Sequence, residues 1–430
     1  MRTTKGFLVS RKAVEKLAAH YGSPLLVLSL DEITRNYKIL KRYLPRVKVH
    51  YAIKANPNAD ILQVLDRLGS CFDVASDGEI HFLSNMGVEG SRMIYANPVK
   101  TKVGLAACRT CGVNRMTFDS SCEIEKIARE CPGATVLLRL KIDNPSAHVD
   151  LNKKFGASRE NALGLMIHAK AAGLDMAGIA FHVGSQTVGA EAYRRALTIT
   201  KELFDEAGAI GLHLRILDIG GGFPIPRPGV TFNLRKMLKQ INDCLEEKFP
   251  KTEIWAEPGR YMCGSAVNLI TSVIGVTERG GEPWYFLDEG LYGTFSGIIF
   301  DQWNFQLINF KDTDETVTAT FAGPSCDSLD ILFRDIQTPR LEEGDLLLVP
   351  SCGAYTSASA TTFNGFSRAR VVVWEDVKAD IEKELFREEK LRPFADLPAA
   401  AGLFAESNVF DPSRLRGSSF PSMRASRFYQ

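Results

Sequence analysis

Residues 214–224 read "LRILDIGGGFP": an apolar run closed by three glycines, a phenylalanine and a proline. The run has the length and composition of a buried strand, and Gly220, Gly221 and Gly222 stop it abruptly. Without side chains, a glycine turn lets backbone N–H groups approach an anion closely. A tight turn alone would explain the triplet equally well. The GxGxxG spacing of a dinucleotide site is absent, so a phosphate cradle is the sharper expectation.

The same design recurs on both sides. Apolar runs ending in polar residues or glycine appear at "KVHYAIK" (48–54), "SCFDVA" (70–75), "RMIYAN" (92–97), "RMTFD" (115–119), "TVLLRLKI" (135–142), "AGIAFHVG" (177–184) and "EIWAEPG" (253–259). Stretches with helical spacing lie between them, such as "ADILQVLDRL" and "EAYRRALTITKELFDEAG". Eight such β/α units predict an α/β protein with a closed parallel (β/α)8 barrel, and an open doubly wound sheet is the alternative. Beyond about residue 265 helical periodicity fades into strands and turns, a β-rich domain of sandwich or barrel-like type. The expected organisation is an N-terminal segment over 1–28 packing on the β-rich part, a barrel over 29–265, the β-rich domain over 266–378 and an appendage over 379–430.

Bulk properties exclude several classes. The 430 residues are 45% hydrophobic and 24% charged, with a formal net charge of +1, so no general field draws nucleic acid or an anionic membrane. No signal-peptide pattern or bilayer-length apolar run is evident. Nine cysteines in apolar contexts suit reduced thiols in a cytoplasm, and Cys108 with Cys111 lacks the second pair that a zinc site requires. No metal site is expected.

In a βα barrel, chemistry gathers where strands end. Those ends carry Lys54, Asp73, Asn97, Asp119, Arg139, His182 with Ser185, the glycines 220–222, and Glu257 with Gly259 and Arg260. A lysine, a phosphate cradle and an acid able to hold a protonated ring nitrogen together describe a pyridoxal 5'-phosphate (PLP) site. Burial at the barrel mouth is expected to lower the Lys54 pKa enough for nucleophilic attack.

These motifs, with "YAIKANPN", "IYANPVK", "KFG", "FHVGSQ", "AEPGRY", "GPSCDSLD" and "GAYTSASATTFNGF", resemble the barrel-type PLP decarboxylases of basic amino acids. Within the ornithine/diaminopimelate decarboxylase family they resemble the ornithine/lysine branch, over about residues 25–375. The resemblance implies Lys54 as the Schiff-base lysine, Glu257 at the pyridine nitrogen, His182 on the ring face, and Asp73 and Arg139 near the imine. It implies Ser185, Gly220, Gly221, Gly222, Gly259, Arg260 and Tyr355 as phosphate ligands, and Cys326 as the group that returns a proton to Cα. Asp301 and Asp327 would hold the distal ammonium of L-ornithine, with L-lysine as a second candidate substrate. A head-to-tail homodimer would supply Tyr292, Cys326 and Asp327 from the second subunit.

The implied products are carbon dioxide and putrescine or cadaverine. The alternatives are diaminopimelate decarboxylase, which the acid pair disfavours, an inactive regulatory homologue, and, more weakly, a racemase. Gln186, Gln302 and Trp303 depart from the ornithine pattern and leave substrate length open.

Overall fold

The computed structural model describes residues 6–144 and 154–391. Residues 1–383 form one compact unit and 384–430 a second; all that follows concerns the first. The charged and Ser/Arg-rich stretch beyond residue 391 lies outside the described residues.

Strand β1 (Leu25–Leu28) precedes eight strands: β2 (Val47–Ala52), β3 (Cys71–Val74), β4 (Met93–Tyr95), β5 (Arg115–Phe118), β6 (Thr135–Leu140), β7 (Asp175–Phe181), β8 (Ile216–Asp218) and β9 (Glu253–Ala256). All neighbours run parallel, and β2 pairs with both β3 and β9, so the sheet closes into a barrel and the open-sheet alternative falls. Helices on the outer face explain why these strands read as continuous apolar runs: β3, β4 and β8 are buried along their whole length. Inside, small residues make room for one large ring. Ala96, Ala177 and Ala180 lie with Ile94, Leu137 and Ile216 around the fully buried Trp255.

The helix Ala59–Arg67 shows how the outer layer is written. Pro57 ends the preceding turn, and the Asn58 side chain accepts from the N–H groups of Asp60 and Ile61. Ile61, Leu62, Val64 and Leu65 then face the barrel. Truncating a fully buried leucine such as Leu62 to alanine costs about 2–5 kcal/mol.

Helices Leu30–Tyr43, Lys102–Cys111 and Leu234–Lys248 complete the layer at positions where the sequence did not advertise them. The first carries long charged side chains on its outer face. Its N-terminal N–H groups are capped from far away: the Glu375 carboxylate accepts from Leu30 at 2.9 Å, Asp31 at 3.1 Å and the Ser29 hydroxyl at 2.7 Å.

The β-rich part is one mixed sheet of seven strands. It contains β10 (Val267–Arg279), β11 (Glu282–Leu287), β12 (Val317–Ala322), β13 (Ile331–Thr338), β14 (Leu346–Val349) and β15 (Arg370–Val373). The order is β13-β12-β11-β10-β1-β15, with β14 also paired to β10. Strand β1 thus lies between β10, antiparallel, and β15, parallel. Strand β13 was not expected. Its half-exposed, irregular burial and the register shifts against β12 blur the period-2 pattern. Among the described residues no helix is long and apolar enough to cross a membrane, and no group of acids, histidines and cysteines could hold a metal.

Candidate active site

The ends of seven of the eight barrel strands, all but β5, line a cavity of about 470 Å³. Its wall includes Lys54, Arg139, His182, Ser185, Glu257, Asp301 and Tyr355. Lys54 is not in a strand: β2 stops at Ala52, and Ile53–Ala55 form one 3-10 turn. That turn is pinned from the β-rich side. The Tyr355 N–H donates to the Ala55 carbonyl at 2.9 Å, and the Asn56 amide donates to the Gly353 carbonyl at 2.9 Å. The Tyr51 hydroxyl donates to the Asn56 carbonyl at 2.9 Å.

Lys54 donates to Asp73, which is 1% exposed at the end of β3, while the lysine side chain is 47% exposed to the cavity. The depressed lysine expected from the sequence is not what this pairing produces. Burial pulls the lysine down, but Asp73, Glu257 and Tyr355 together hold the ammonium above its ordinary value. Desolvation is the largest single influence, and the raising groups exceed it only together, Asp73 foremost because it lies in direct contact.

Glu257, one residue past β9, shows the opposite balance. Burial, then the Asp218 and Asp73 carboxylates, raise its carboxyl well above the usual range. Its Oε1 is buried without a hydrogen-bond partner among the described residues. His182, one residue past β7, is neutral: burial and the Arg139 and Lys54 cations push it down to about 3. Its Nδ1 accepts the Gly184 N–H at 2.9 Å, which fixes the ring.

The three glycines divide the work. Gly221 and Gly222 line the cavity, whereas Gly220 does not. Gly220 instead turns the chain at φ +64°, where an added Cβ would sit 2.2 Å from the Phe181 carbonyl. A Cβ on Gly221 would lie 2.6 Å from the Glu257 carbonyl oxygen and 3.0 Å from His182 Nε2. Close approach of three strand ends, rather than flexibility, demands glycine here. Gly259 also lines the cavity, with a Cβ position 3.2 Å from the Tyr355 hydroxyl.

Two expected residues lie elsewhere in the wall's construction. Asp119 accepts the Gly156 N–H at 2.8 Å and supports the loop bearing Phe155. Gln186 holds Ile225 by both backbone groups, at 3.1 and 2.8 Å, and does not face the cavity. Asp301 reaches the cavity and pairs with Arg260, whereas Asp327 does not: within one chain the two acids stay apart. Asp327 accepts from the Tyr292 hydroxyl, and Tyr292 stacks on Phe363 at 4.2 Å. Beside them Cys326 is exposed, its N–H donating to Asn364 at 3.0 Å. Tyr292, Cys326 and Asp327 form a second cluster outside the cavity of their own chain.

The sequence reading passed over one buried and one half-buried carboxylate. Asp218, fully buried within β8, accepts the Gly220 N–H at 2.8 Å. Glu79 accepts the Ala75 N–H at 2.6 Å, and burial pushes it up to about 7. An acid inside the apolar run "ILDIG" was a usable signal for the first; nothing in "DGEIHF" separates Glu79 from a surface helix residue.

The cavity suits a phosphorylated pyridine. A buried carboxyl with one oxygen left without a hydrogen-bond partner can meet a ring nitrogen, a neutral imidazole can face a planar ring, and unencumbered glycines with a buried arginine can meet a phosphate. A parallel barrel with that donor set defines the class of barrel-type PLP enzymes. The family model for "Pyridoxal-dependent decarboxylase, pyridoxal binding domain" matches residues 30–264. The chain is 52% identical over 373 residues to the lysine/ornithine decarboxylase of Selenomonas ruminantium, covering 86% of this chain and 95% of that one.

Among solved structures, SrLDC in complex with PLP and cadaverine superposes with a TM-score of 0.84 at 48% identity, covering 90% and 100% of the two chains. The lysine/ornithine decarboxylase of Vibrio vulnificus complexed with cadaverine gives 0.80 at 35%, covering 85% and 99%. The chain belongs to the pyridoxal-dependent decarboxylases, and it is a PLP-dependent carboxy-lyase.

Proposed function

We propose that the protein decarboxylates L-ornithine and L-lysine to putrescine and cadaverine. The observation that carries this reading is the buried Asp301 carboxylate in the same cavity as Lys54. Asp301 already pairs with Arg260, and a distal ammonium adds a second counter-charge to this buried acid that a neutral analogue would not supply.

PLP supplies an electron sink for the carbanion left when carbon dioxide departs. Lys54 is the residue that would hold it covalently, and Asp73 orients that amine. Glu257 would sit at the ring nitrogen and His182 against the ring face. Ser185, Gly221, Gly222, Gly259 and Arg260 would surround the phosphate, with Tyr355 beside them. Phe300 and Phe155 line the same cavity.

Residues 29–265 are the proposed cofactor-binding barrel, a span the family match over 30–264 supports. The second cluster has no function within its own chain, so we place it in the neighbouring active site of a homodimer. There Cys326 would deliver the proton to Cα, and Asp327 with Tyr292 would complete the ammonium site. A thiol suits that role because its ordinary pKa lies within reach of neutrality. Nine free thiols agree with a cytoplasmic setting.

The test is carbon dioxide release from ornithine, lysine, arginine and meso-diaminopimelate. Ornithine and lysine should dominate kcat/KM; faster turnover of diaminopimelate would overturn the substrate assignment. For the shared site, inactive Lys54→Ala and Cys326→Ala chains should regain activity on mixing. Mixed chains that stay inactive while forming dimers would refute it.

A further inference from the structure

Arg260 follows Gly259 past β9, and its side chain is 4% exposed. Its guanidinium carbon lies over the Trp303 ring at 4.5 Å and over the Tyr355 ring at 4.9 Å. Nη2 donates to Asp301. Nε and Nη1 are buried with no partner among the described residues. A buried planar cation packed against two rings and tied to a carboxylate has its donor edges restricted in direction. One edge is given to the acid proposed for the substrate's ammonium, and the remaining edges stay available to an anion.

We infer that Arg260 is shared between the two halves of the cavity, so that Asp301 sets the affinity for the cofactor's phosphate and Trp303 positions the guanidinium for both. This rests on the decarboxylase reading above and specifies how its phosphate and ammonium subsites communicate. Asp301 neutralises Arg260 and confronts an incoming phosphate with a like charge one guanidinium away. The carboxylate therefore weakens phosphate binding. Conversely, a bound phosphate draws on the same cation and leaves Asp301 with more unbalanced charge for a distal ammonium. Two ligands that each improve the other's site bind cooperatively, by the same factor in both directions.

Asp301→Asn keeps the shape and removes the charge. The readout is the dissociation constant of PLP, compared with pyridoxal, for the full chain stripped of cofactor and titrated by absorbance. PLP should bind about tenfold more tightly or better, within the usual range of coupling between sites, while pyridoxal stays unchanged. PLP affinity that is unchanged or weaker overturns the inference. Arg260→Gln separates the layers: the preference for PLP over pyridoxal should fall, and adding Asp301→Asn to that variant should change it no further. If Arg260→Gln keeps the full wild-type preference for PLP, the assignment of Arg260 to the phosphate is wrong, whatever Asp301 does.

The unmodified chain gives an independent measurement should a variant not fold. Inorganic phosphate and putrescine should each tighten the other's binding, and independent binding would refute the coupling. Trp303→Ala should weaken PLP but not pyridoxal, with Trp303→Phe restoring it. Equal losses for both ligands would remove Trp303 from the role.

Discussion

Gly221→Ala tests whether the cavity is built by close approach. Gly221 does not need a left-handed backbone, so the added methyl acts by volume alone. Its Cβ would lie 2.6 Å from the Glu257 carbonyl oxygen and 3.0 Å from His182 Nε2. A carbon settles at about 3.3 Å or more from a carbonyl oxygen, so the β8 and β9 ends must part by about 0.7 Å. The obstructing atom is backbone in a closed barrel and cannot rotate aside. Overpacking of this kind costs about 1–3 kcal/mol of stability. The displacement falls between two groups that must face one ring, and misplacement on this scale costs up to about a hundredfold in function.

The assay is PLP titration by absorbance together with urea unfolding. PLP affinity should fall by about one to two orders of magnitude, and the unfolding midpoint should drop. Gly164→Ala is the control. It lies in the helix Arg159–Ala171 with nothing within 4 Å of its Cβ position, and should add about 0.5–1 kcal/mol. Gly221→Ala that binds PLP with wild-type affinity and unfolds at the wild-type midpoint would refute the packing argument.

Asp73→Asn should let burial lower the Lys54 pKa, so that borohydride-trapped cofactor appears at lower pH; an unmoved profile would detach Asp73 from that control. Lys54 is held above its unfolded value, so its contribution to stability is present below pH 10.5 and is lost as pH rises through the folded pKa; the variant should be less stable at neutral pH. His50 is fully buried against Trp255 at 4.6 Å, and burial, then Lys48 and Arg115, push it down to about 3 from 6.5. Its stability contribution is complete above pH 6.5 and is lost as pH falls towards 3, by about 1.4 kcal/mol per pH unit. His50→Gln should reduce the slope of urea stability between pH 6.5 and 4.5, leaving the share due to His182. Gln186→Ala removes both buried bonds to Ile225 and should speed PLP dissociation several-fold and lower the melting temperature; an unchanged off-rate would leave Gln186 without influence on the glycine loop.

The barrel and its rim were legible because each strand end breaks an apolar run with one conspicuous residue. Lys54, Asp73, Arg139, His182 and Glu257 could be picked out by type and position alone. Charge balance was not legible. The sign of the Lys54 shift depends on contact with Asp73, and the size of the Glu257 shift on burial first and Asp218 second, none of which a linear sequence displays. The Arg260–Asp301 pair joins residues 41 positions apart across a change of architecture. Gln186 departs from the ornithine pattern and so bore on substrate length, yet a positive φ turns it onto Ile225 and away from the cavity. Helix Leu30–Tyr43 escaped notice because its buried face is interrupted by Glu32 and Asn36, both buried and paired only in the folded chain.

The placement of β1 between β10 and β15 carries a consequence for the order of assembly on the ribosome. The second sheet needs residues 25–28 and 370–373 side by side, so the first strand made must wait for the last. The barrel strands are all synthesised in that interval and can close beforehand. The turn bearing Lys54 cannot be finished with them, because Gly353 and Tyr355 hold it. The nascent chain therefore acquires its architecture early and its reactive amine late, and a fragment ending at the barrel would fold without the geometry that makes it an enzyme.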